Sequence, residues 1–170
     1  MLEVIFTKLA TICISIGLDR AGNWLNKKFD KKKEISIDDV KRLTKVLFVD
    51  DEDFSSKISV IRNAGWNINQ IGEITNLDSE EIKNADIIFM DYYGVGKILT
   101  PKEQGIGLLK CIRKKYPEKF IVFFSGYAGV IPGHEVHSIA NAWIPKHEDT
   151  FVYIDQIEEA AIKLYESKHK

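Results

Sequence analysis

The amino-acid sequence predicts an α/β fold, a doubly wound parallel sheet with helices on both faces. Two observations lead to this class. From Lys45 onward, short apolar runs alternate with segments in which apolar residues recur at helical spacing. The runs are nearly continuous in apolar residues, which is typical of strands buried on both faces of a parallel sheet. Five such strand–helix units in succession favour a doubly wound open sheet.

Each predicted strand is a short apolar run, and a polar or charged residue closely follows four of the five. The strands are expected at Val46–Val49 before Asp50 and Asp51, at Trp66–Ile71, at Ile87–Met90 before Asp91, at Phe120–Phe124 before Ser125, and at Ala142–Ile144 before Lys146. We expect the flavodoxin-like strand order 2-1-3-4-5, in which ligands gather outside the carboxyl ends of the strands. The polar residues at those ends are therefore the candidates for a functional site.

The connections between the strands carry helical patterns of apolar residues. We expect helices at Asp53–Ala64, Leu77–Ile82, Ile106–Lys115, His134–Asn141 and Val152–Ser167. The connection over residues 92–104 contains Gly94, Gly96 and Pro101, which predict a loop. This loop directly follows the candidate residue Asp91.

Residues 1–44 differ from the rest of the chain, so the predicted domains are 1–44 and 45–170. Apolar residues at helical spacing predict one amphipathic helix over Met1–Phe29, and the charged segment Asp30–Arg42 is interpreted as a linker. The apolar stretch in this helix is shorter than the roughly 20 residues that a membrane-spanning helix needs. Three roles for the helix stay open: packing or self-association, peripheral membrane contact through residues 1–33, and docking of a partner.

Composition narrows the classes of partner and compartment. The net charge of −1 provides no general attraction to nucleic acid, and we expect none to bind. Cys13 and Cys111 belong to no metal-binding or redox spacing, and the four histidines form no ligand cluster. Since neither a disulfide framework nor a secretory signal peptide is predicted, the expected location is the cytoplasm, where peripheral membrane contact through residues 1–33 stays open.

Three carboxylates, one hydroxyl and one ammonium group are predicted to meet at the carboxyl end of the sheet. Clustered carboxylates repel one another, and Mg²⁺ relieves the repulsion by taking carboxylate, water and phosphate oxygens as ligands. Asp91, alone at the end of the central strand, is the candidate nucleophile toward a phosphoryl donor, while Asp50 and Asp51 hold the metal. Lys146 and Ser125 then share the charge on the transferred oxygens. Taken singly, a strand-end Asp is more often a helix cap or turn residue.

The same segments resemble the receiver domains of two-component response regulators. The resemblance covers Lys45 to about Glu166. It rests on five motifs: VLFVDDE from Val46, DIIFMD ending at Asp91, GIGLLKCIR from Gly105, IVFFSG from Ile121 and WIPK ending at Lys146. An acidic pair alone is weak evidence, whereas this order of residues at successive strand ends is specific.

The resemblance implies a role for each site residue. Asp91 is the phosphoacceptor, and Ser125 and Lys146 assist the transfer. The implied Mg²⁺ ligands are three carboxylates and one backbone carbonyl, those of Asp50, Asp51, Asp91 and Tyr93. Ser125 and Trp143 are the implied switch residues, although the pattern around Trp143 fits a core residue equally well.

The resemblance also implies a function: a phosphorylation-dependent switch, here a single-domain response regulator that signals by protein–protein binding. The phosphoryl donor is a histidine kinase or a phosphotransfer protein, and the target is a downstream protein or a second copy of the chain. Chemistry is limited to self-phosphorylation and self-dephosphorylation, so the protein is not expected to be an enzyme. The alternative is a non-phosphorylated receiver-like interaction or assembly module that acts through its N-terminal helix. A Mg²⁺-dependent phosphatase of related fold is disfavoured because Tyr93 stands where that chemistry needs an acid.

Three of the departures from the receiver pattern concern the site itself. The loop over residues 92–104 is longer than the family norm and borders the site. Pro145 precedes Lys146, whereas the family usually places proline after the lysine. Tyr93 and Tyr127 stand two positions after the phosphoacceptor and the switch hydroxyl, and we expect them to shield the phosphoryl group from water.

Overall fold

The structure of the protein is a computed structural model, and it describes residues 36–126 and 134–168. The predicted N-terminal helix over Met1–Phe29 and residues 30–35 of the predicted linker lie outside the described residues. The compact unit that contains the described residues begins at Ser36.

The predicted fold class is confirmed: five parallel strands form one sheet in the order β2-β1-β3-β4-β5. The strands are β1 Lys45–Val49, β2 Asn67–Ile71, β3 Ile87–Asp91, β4 Phe120–Ser125 and β5 Ala142–Pro145. Every residue of β3 and β4 is buried, which explains why these strands appear in the sequence as unbroken apolar runs. The strand order reverses beside β1, and sheets of this kind bind ligands at the carboxyl ends near that reversal.

Six helices in the described residues cover the two faces of the sheet. They are α1 Ile37–Leu43, α2 Ser55–Asn63, α3 Glu80–Asn84, α4 Gln104–Lys115, α5 His134–Ile139 and α6 Thr150–Lys168. Helices α1 and α2 both contact α6, while α3, α4 and α5 contribute to the core on the other face. None of these helices combines the length and the apolar character that crossing a bilayer requires.

The sheet divides the core into an aromatic half and an aliphatic half. In the aromatic half, Phe48 stacks on Phe89 with ring centroids 4.3 Å apart, and Phe124 meets both rings edge-on. Tyr153 of α6 packs against all three rings. Each buried phenylalanine side chain stabilises the fold by about 1.5–3 kcal/mol. The aromatic half reaches the polar strand ends, since the ammonium nitrogen of Lys146 lies 5.7 Å from the centroid of the Phe124 ring.

Residues 37–43 correct the linker prediction, because they form helix α1. The side chain of Ser36 accepts a hydrogen bond from the backbone N–H of Asp39 at 3.1 Å and so caps the start of the helix. Val40 is buried, and the helix packs against α6 and β2. Charged residues occupy most of this short helix, and its single buried residue is too little to produce a periodic apolar pattern.

Candidate functional site

Four of the predicted site residues lie together where the carboxyl ends of the strands meet. They directly follow β1, end β3, end β4 and directly follow β5, as Asp50, Asp91, Ser125 and Lys146 respectively. All four are buried. Parallel pairing brings the ends of neighbouring strands side by side, and Ser125 is in register with Pro145. The predicted convergence of these residues is therefore observed.

Lys146 supplies the cation that these acids share. Its ammonium nitrogen lies 2.8 Å from Oδ2 of Asp91 and 3.0 Å from Oδ1 of Asp50. A third carboxylate, that of the exposed Glu52, also has an oxygen 3.0 Å away. Burial by itself lowers the pKa of Lys146, but the hydrogen bonds to Asp91, Asp50 and Glu52 outweigh burial and raise this pKa well above its usual value. The lysine is therefore charged at physiological pH.

The backbone of Lys146 is held on both sides although a proline precedes it. Its N–H donates to the carbonyl of Ser125 at 2.8 Å. Its carbonyl accepts hydrogen bonds from the hydroxyl of Tyr153 at 3.1 Å and from the ammonium of Lys57 at 3.2 Å. With proline before the lysine, the Lys146 ammonium still contacts Asp50 and Asp91. Sequence reasoning missed Tyr153 and Lys57, because each appears there only as part of a helical pattern.

Asp91 is a buried carboxylate with a fixed orientation. Its Oδ1 accepts a hydrogen bond from the backbone N–H of Tyr92 at 2.7 Å, and its Oδ2 accepts one from Lys146. Burial raises the pKa of the Asp91 carboxyl above its usual range; the hydrogen bond from Lys146 opposes this shift, and the charge of Asp50 adds to it. A poorly solvated carboxylate that is held in one orientation is suited to act as a nucleophile.

The acids fit a divalent cation. Asp50, Asp51 and Asp91 each offer one carboxylate oxygen, and these oxygens lie within 4.8 Å of one another. Oδ2 of Asp50 is buried and accepts no hydrogen bond within residues 36–126 and 134–168, although it lies 3.0 Å from the ammonium of Lys146. A buried anionic oxygen without a donor is stabilised by a nearby cation. Because all the donors are oxygen atoms, the set suits a hard cation such as Mg²⁺.

The predicted switch residues lie on the two strands beside the acids. Ser125 is buried at the end of β4. Trp143 of β5 is half-buried against the aliphatic core, and its ring nitrogen is buried without a hydrogen-bond partner in the part of the chain that the structure describes. Tyr93 is half-exposed and packs edge-on against Tyr92. Tyr127 lies outside the described residues. The shielding role of the two tyrosines and the switch roles of Ser125 and Trp143 stay predictions.

The long loop over residues 92–104 contributes contacts that the sequence did not reveal. The ammonium nitrogen of Lys97 lies 2.9 Å from Oδ2 of Asp51. A Cβ atom at Gly94 would overlap Oδ1 of the same carboxylate. Glu73, which follows β2, accepts hydrogen bonds from two backbone N–H groups of the loop. Sequence spacing cannot link a loop lysine to an acid 46 residues away.

No protein-family model and no curated protein matches the chain. Solved structures do match it. A CheY-like response regulator receiver domain protein from Methanospirillum hungatei JF-1 is 18% identical with a TM-score of 0.59, and the match covers 74% of this chain and 98% of that one. NtrX from Brucella abortus, solved in complex with ATP, is 20% identical with a TM-score of 0.60. That match covers 75% of this chain and 29% of the NtrX chain.

A response regulator from Burkholderia pseudomallei shares the fold at lower similarity. It was solved with a phosphorylated aspartic acid, a calcium ion and citrate. It is 13% identical with a TM-score of 0.51, and the match covers 74% of this chain and 72% of that one. At these identities the likeness is one of fold. The chain has the receiver-domain fold of response regulators, as its sequence motifs predicted.

Proposed function

We propose that the protein is a phosphorylation-dependent signalling switch that accepts a phosphoryl group on Asp91. The proposal rests on the position of the Lys146 ammonium group. This group contacts the buried carboxylates of Asp91 and Asp50 at the ends of adjacent strands. Replacing a buried ionic network by apolar residues is often neutral or stabilising, so stability alone does not account for these groups. Buried acids around one lysine support a chemical role.

The proposed reaction is transfer of a phosphoryl group from a phosphohistidine of a histidine kinase or phosphotransfer protein. A carboxylate oxygen of Asp91 attacks the phosphorus, an O–P bond forms, the N–P bond of the phosphohistidine breaks, and the imidazole leaves with the electron pair. The ammonium of Lys146, which already donates to Asp91, stabilises the charge on the transferred oxygens. At the neighbouring strand end, the hydroxyl of Ser125 donates to one of those oxygens.

Asp50, Asp51, Asp91 and the backbone carbonyl of Tyr93 would hold Mg²⁺, which when bound neutralises the acids and the transferred oxygens. The Burkholderia regulator, solved with a phosphorylated aspartic acid and a calcium ion, supports this combination of acceptor and divalent cation on the same fold. The chemistry is confined to the protein's own phosphorylation and dephosphorylation. In this proposal the chain is a switch rather than an enzyme with a separate substrate.

Phosphorylation is converted into a changed surface near β4 and β5. Ser125 moves toward the phosphoryl group, and Trp143, whose buried ring nitrogen has no hydrogen-bond partner within the described residues, changes its packing. The altered surface binds a downstream protein or a second copy of the chain in the cytoplasm. Peripheral membrane contact through residues 1–33 stays a prediction.

Intact-mass measurement of the full chain after incubation with acetyl phosphate and Mg²⁺ tests the proposal. We expect wild type to gain the mass of one phosphoryl group and Asp91→Asn to gain none. Asp155→Asn, at an exposed position of α6, is the matched control and should react as wild type does. If folded wild-type protein gains no phosphoryl group, the proposal is wrong, and the non-phosphorylated interaction or assembly module becomes the better description.

A further inference from the structure

Asp51 has a counter-ion that comes from outside the strand ends. Asp50 and Asp91 both contact Lys146, whereas the ammonium nitrogen that lies 2.9 Å from Oδ2 of Asp51 belongs to Lys97. Lys97 is part of the long loop between β3 and α4. The side chains of Lys97 and Asp51 are 57% and 38% exposed, so their ion pair can open without disturbing the core.

Backbone contacts hold the loop in the position that brings Lys97 to the acids. The two carboxylate oxygens of Glu73 accept hydrogen bonds from the backbone N–H groups of Gly96 and Lys97, each at 2.8 Å. Within the loop, the N–H of Thr100 donates to the carbonyl of Gly96 at 2.9 Å. Because these bonds fix the main chain, the Lys97 ammonium can leave Asp51 while the loop stays in place.

The loop backbone also lies against the carboxylate of Asp51. A Cβ atom at position 94 would overlap Oδ1 of Asp51, and Gly94 has a φ of 83°. Glycine adopts this conformation readily and leaves the necessary space. The Asp51 carboxylate therefore lies against the loop backbone while its Oδ2 pairs with Lys97, at the same acids that fit a divalent cation.

We propose that Lys97 is a built-in competitor of the divalent cation and lowers the affinity of the acids for Mg²⁺. The inference rests on the proposed function, because it concerns the same metal site. The ammonium of Lys97 and the metal ion need the same carboxylate, and two cations beside one carboxylate repel each other. Binding of Mg²⁺ therefore requires the ammonium to leave Asp51 or to remain close to a second positive charge.

The expected effect is modest, because both side chains of the ion pair are partly exposed. Pairs of this kind contribute little free energy, so neutralising Lys97 should tighten Mg²⁺ binding by about two- to fivefold. Lys97→Met removes the charge and keeps much of the side-chain volume. Lys97→Arg keeps the charge and should bind Mg²⁺ as wild type does.

Calorimetric titration of the full chain with MgCl₂ tests the competition in wild type, Lys97→Met, Lys97→Arg and Lys102→Met. Lys102 is an exposed lysine of the same loop that contacts none of the acids among the described residues, so its variant controls for the loss of one positive charge. We expect Lys97→Met to bind Mg²⁺ about threefold more tightly than wild type. Lys102→Met should match wild type.

Equal Mg²⁺ affinity of Lys97→Met and wild type would overturn the proposal that Lys97 competes with the cation. An equal gain in Lys102→Met would overturn it too, because the effect would then come from net charge alone. In both cases, measurable binding by wild type leaves the metal role of the acids intact. If neither wild type nor Lys97→Met binds Mg²⁺, the competition and the metal role in the proposed function are both wrong.

Discussion

The ammonium nitrogen of Lys146 lies 2.8 Å from Oδ2 of Asp91, a contact between residues 55 positions apart in the chain. The same nitrogen lies 3.0 Å from Asp50, so one buried cation is shared by acids on adjacent strands. The groups proposed to receive and stabilise a phosphoryl group also form the buried ion pairs at the carboxyl ends of the strands. Stability and chemistry are therefore coupled at this site, and substitutions here should affect both.

Lys146→Met should destabilise the metal-free protein by about 3–5 kcal/mol, because two buried carboxylates lose the cation that they share. Mg²⁺ supplies a replacement cation at the same acids and should restore part of this loss. Urea unfolding in the presence of EDTA, and again in the presence of Mg²⁺, measures both effects.

Lys163→Met is the matched control, since it removes a lysine from an exposed ion pair with Glu159. It should lower the free energy of unfolding by less than about 1 kcal/mol, with or without Mg²⁺. Equal losses in the two variants would contradict the stabilising role of the buried Lys146. A Lys146→Met variant that Mg²⁺ does not stabilise would contradict the shared cation site.

The stability of Asp91→Asn relative to wild type should increase as the pH rises from about 4 to 7 in the absence of metal. Burial raises the pKa of Asp91 in the folded protein above the value of about 3.9 in the unfolded chain. The contribution of this carboxyl to stability is therefore complete at low pH and is lost as the pH rises through the folded-state pKa. Asparagine does not titrate and avoids this loss.

Urea unfolding of Asp91→Asn and wild type at a series of pH values, with EDTA present, measures this difference. Asp155→Asn, at an exposed position of α6, should differ from wild type by an amount nearly independent of pH. A stability difference for Asp91→Asn that stays constant or falls with rising pH would contradict the raised pKa of the Asp91 carboxyl in the folded protein.

Gly94→Ala should destabilise the protein by about 1–3 kcal/mol, because alanine is strained in this backbone conformation. Its Cβ atom would also overlap the carboxylate of Asp51, so the loop would have to move. Gly126→Ala is the control, because a Cβ atom there would lie 3.5 Å from its nearest neighbour, Cδ of Lys146, which is an ordinary van der Waals contact. Thermal unfolding compares the two variants, and equal losses would contradict the close approach of the loop to Asp51.

Tyr153→Phe should slow phosphorylation by acetyl phosphate, because its hydroxyl holds the backbone carbonyl of Lys146. Tyr116→Phe removes a similar hydrogen bond, from a tyrosine hydroxyl to the carbonyl of Leu77, which does not belong to the site. Each change should lower the free energy of unfolding by about 1 kcal/mol. Only Tyr153→Phe should lower the phosphorylation rate. Equal rates in both variants would show that Tyr153 does not position the lysine.

The strand-end residues could be predicted because the patterns that reveal them are local. An apolar run ends at Asp91 and another ends at Ser125, and a parallel sheet brings such ends together. The predicted third strand, Ile87–Met90, differs from the observed β3 by one residue, because Asp91 itself pairs with β4. Lys146 can be predicted in the same way, although its proline–lysine order departs from the receiver pattern.

The rest of the site depends on side chains whose partners are distant in the chain. Lys97 and Glu73 lie in connections without periodic apolar residues, so no pattern predicts that a loop lysine meets Asp51. Tyr153 reaches the site from α6, where its place in the helical pattern of apolar residues indicates only a core residue. The linker prediction for Asp30–Arg42 overlooks Ser36, which stands three residues before Asp39 in an arrangement that indicates a helix start.

The central claim is that acids from two strands and a lysine from a third form one cation site. Paramagnetic broadening of the amide NMR signals of the full chain by substoichiometric Mn²⁺ tests it most directly. We expect the signals of residues 50–52, 91–93 and 125–126 to broaden first and the substitution Asp91→Asn to weaken the effect. Selective broadening that begins elsewhere, for example around Glu158 and Glu159 of α6, or no selective broadening at all, would contradict the claim.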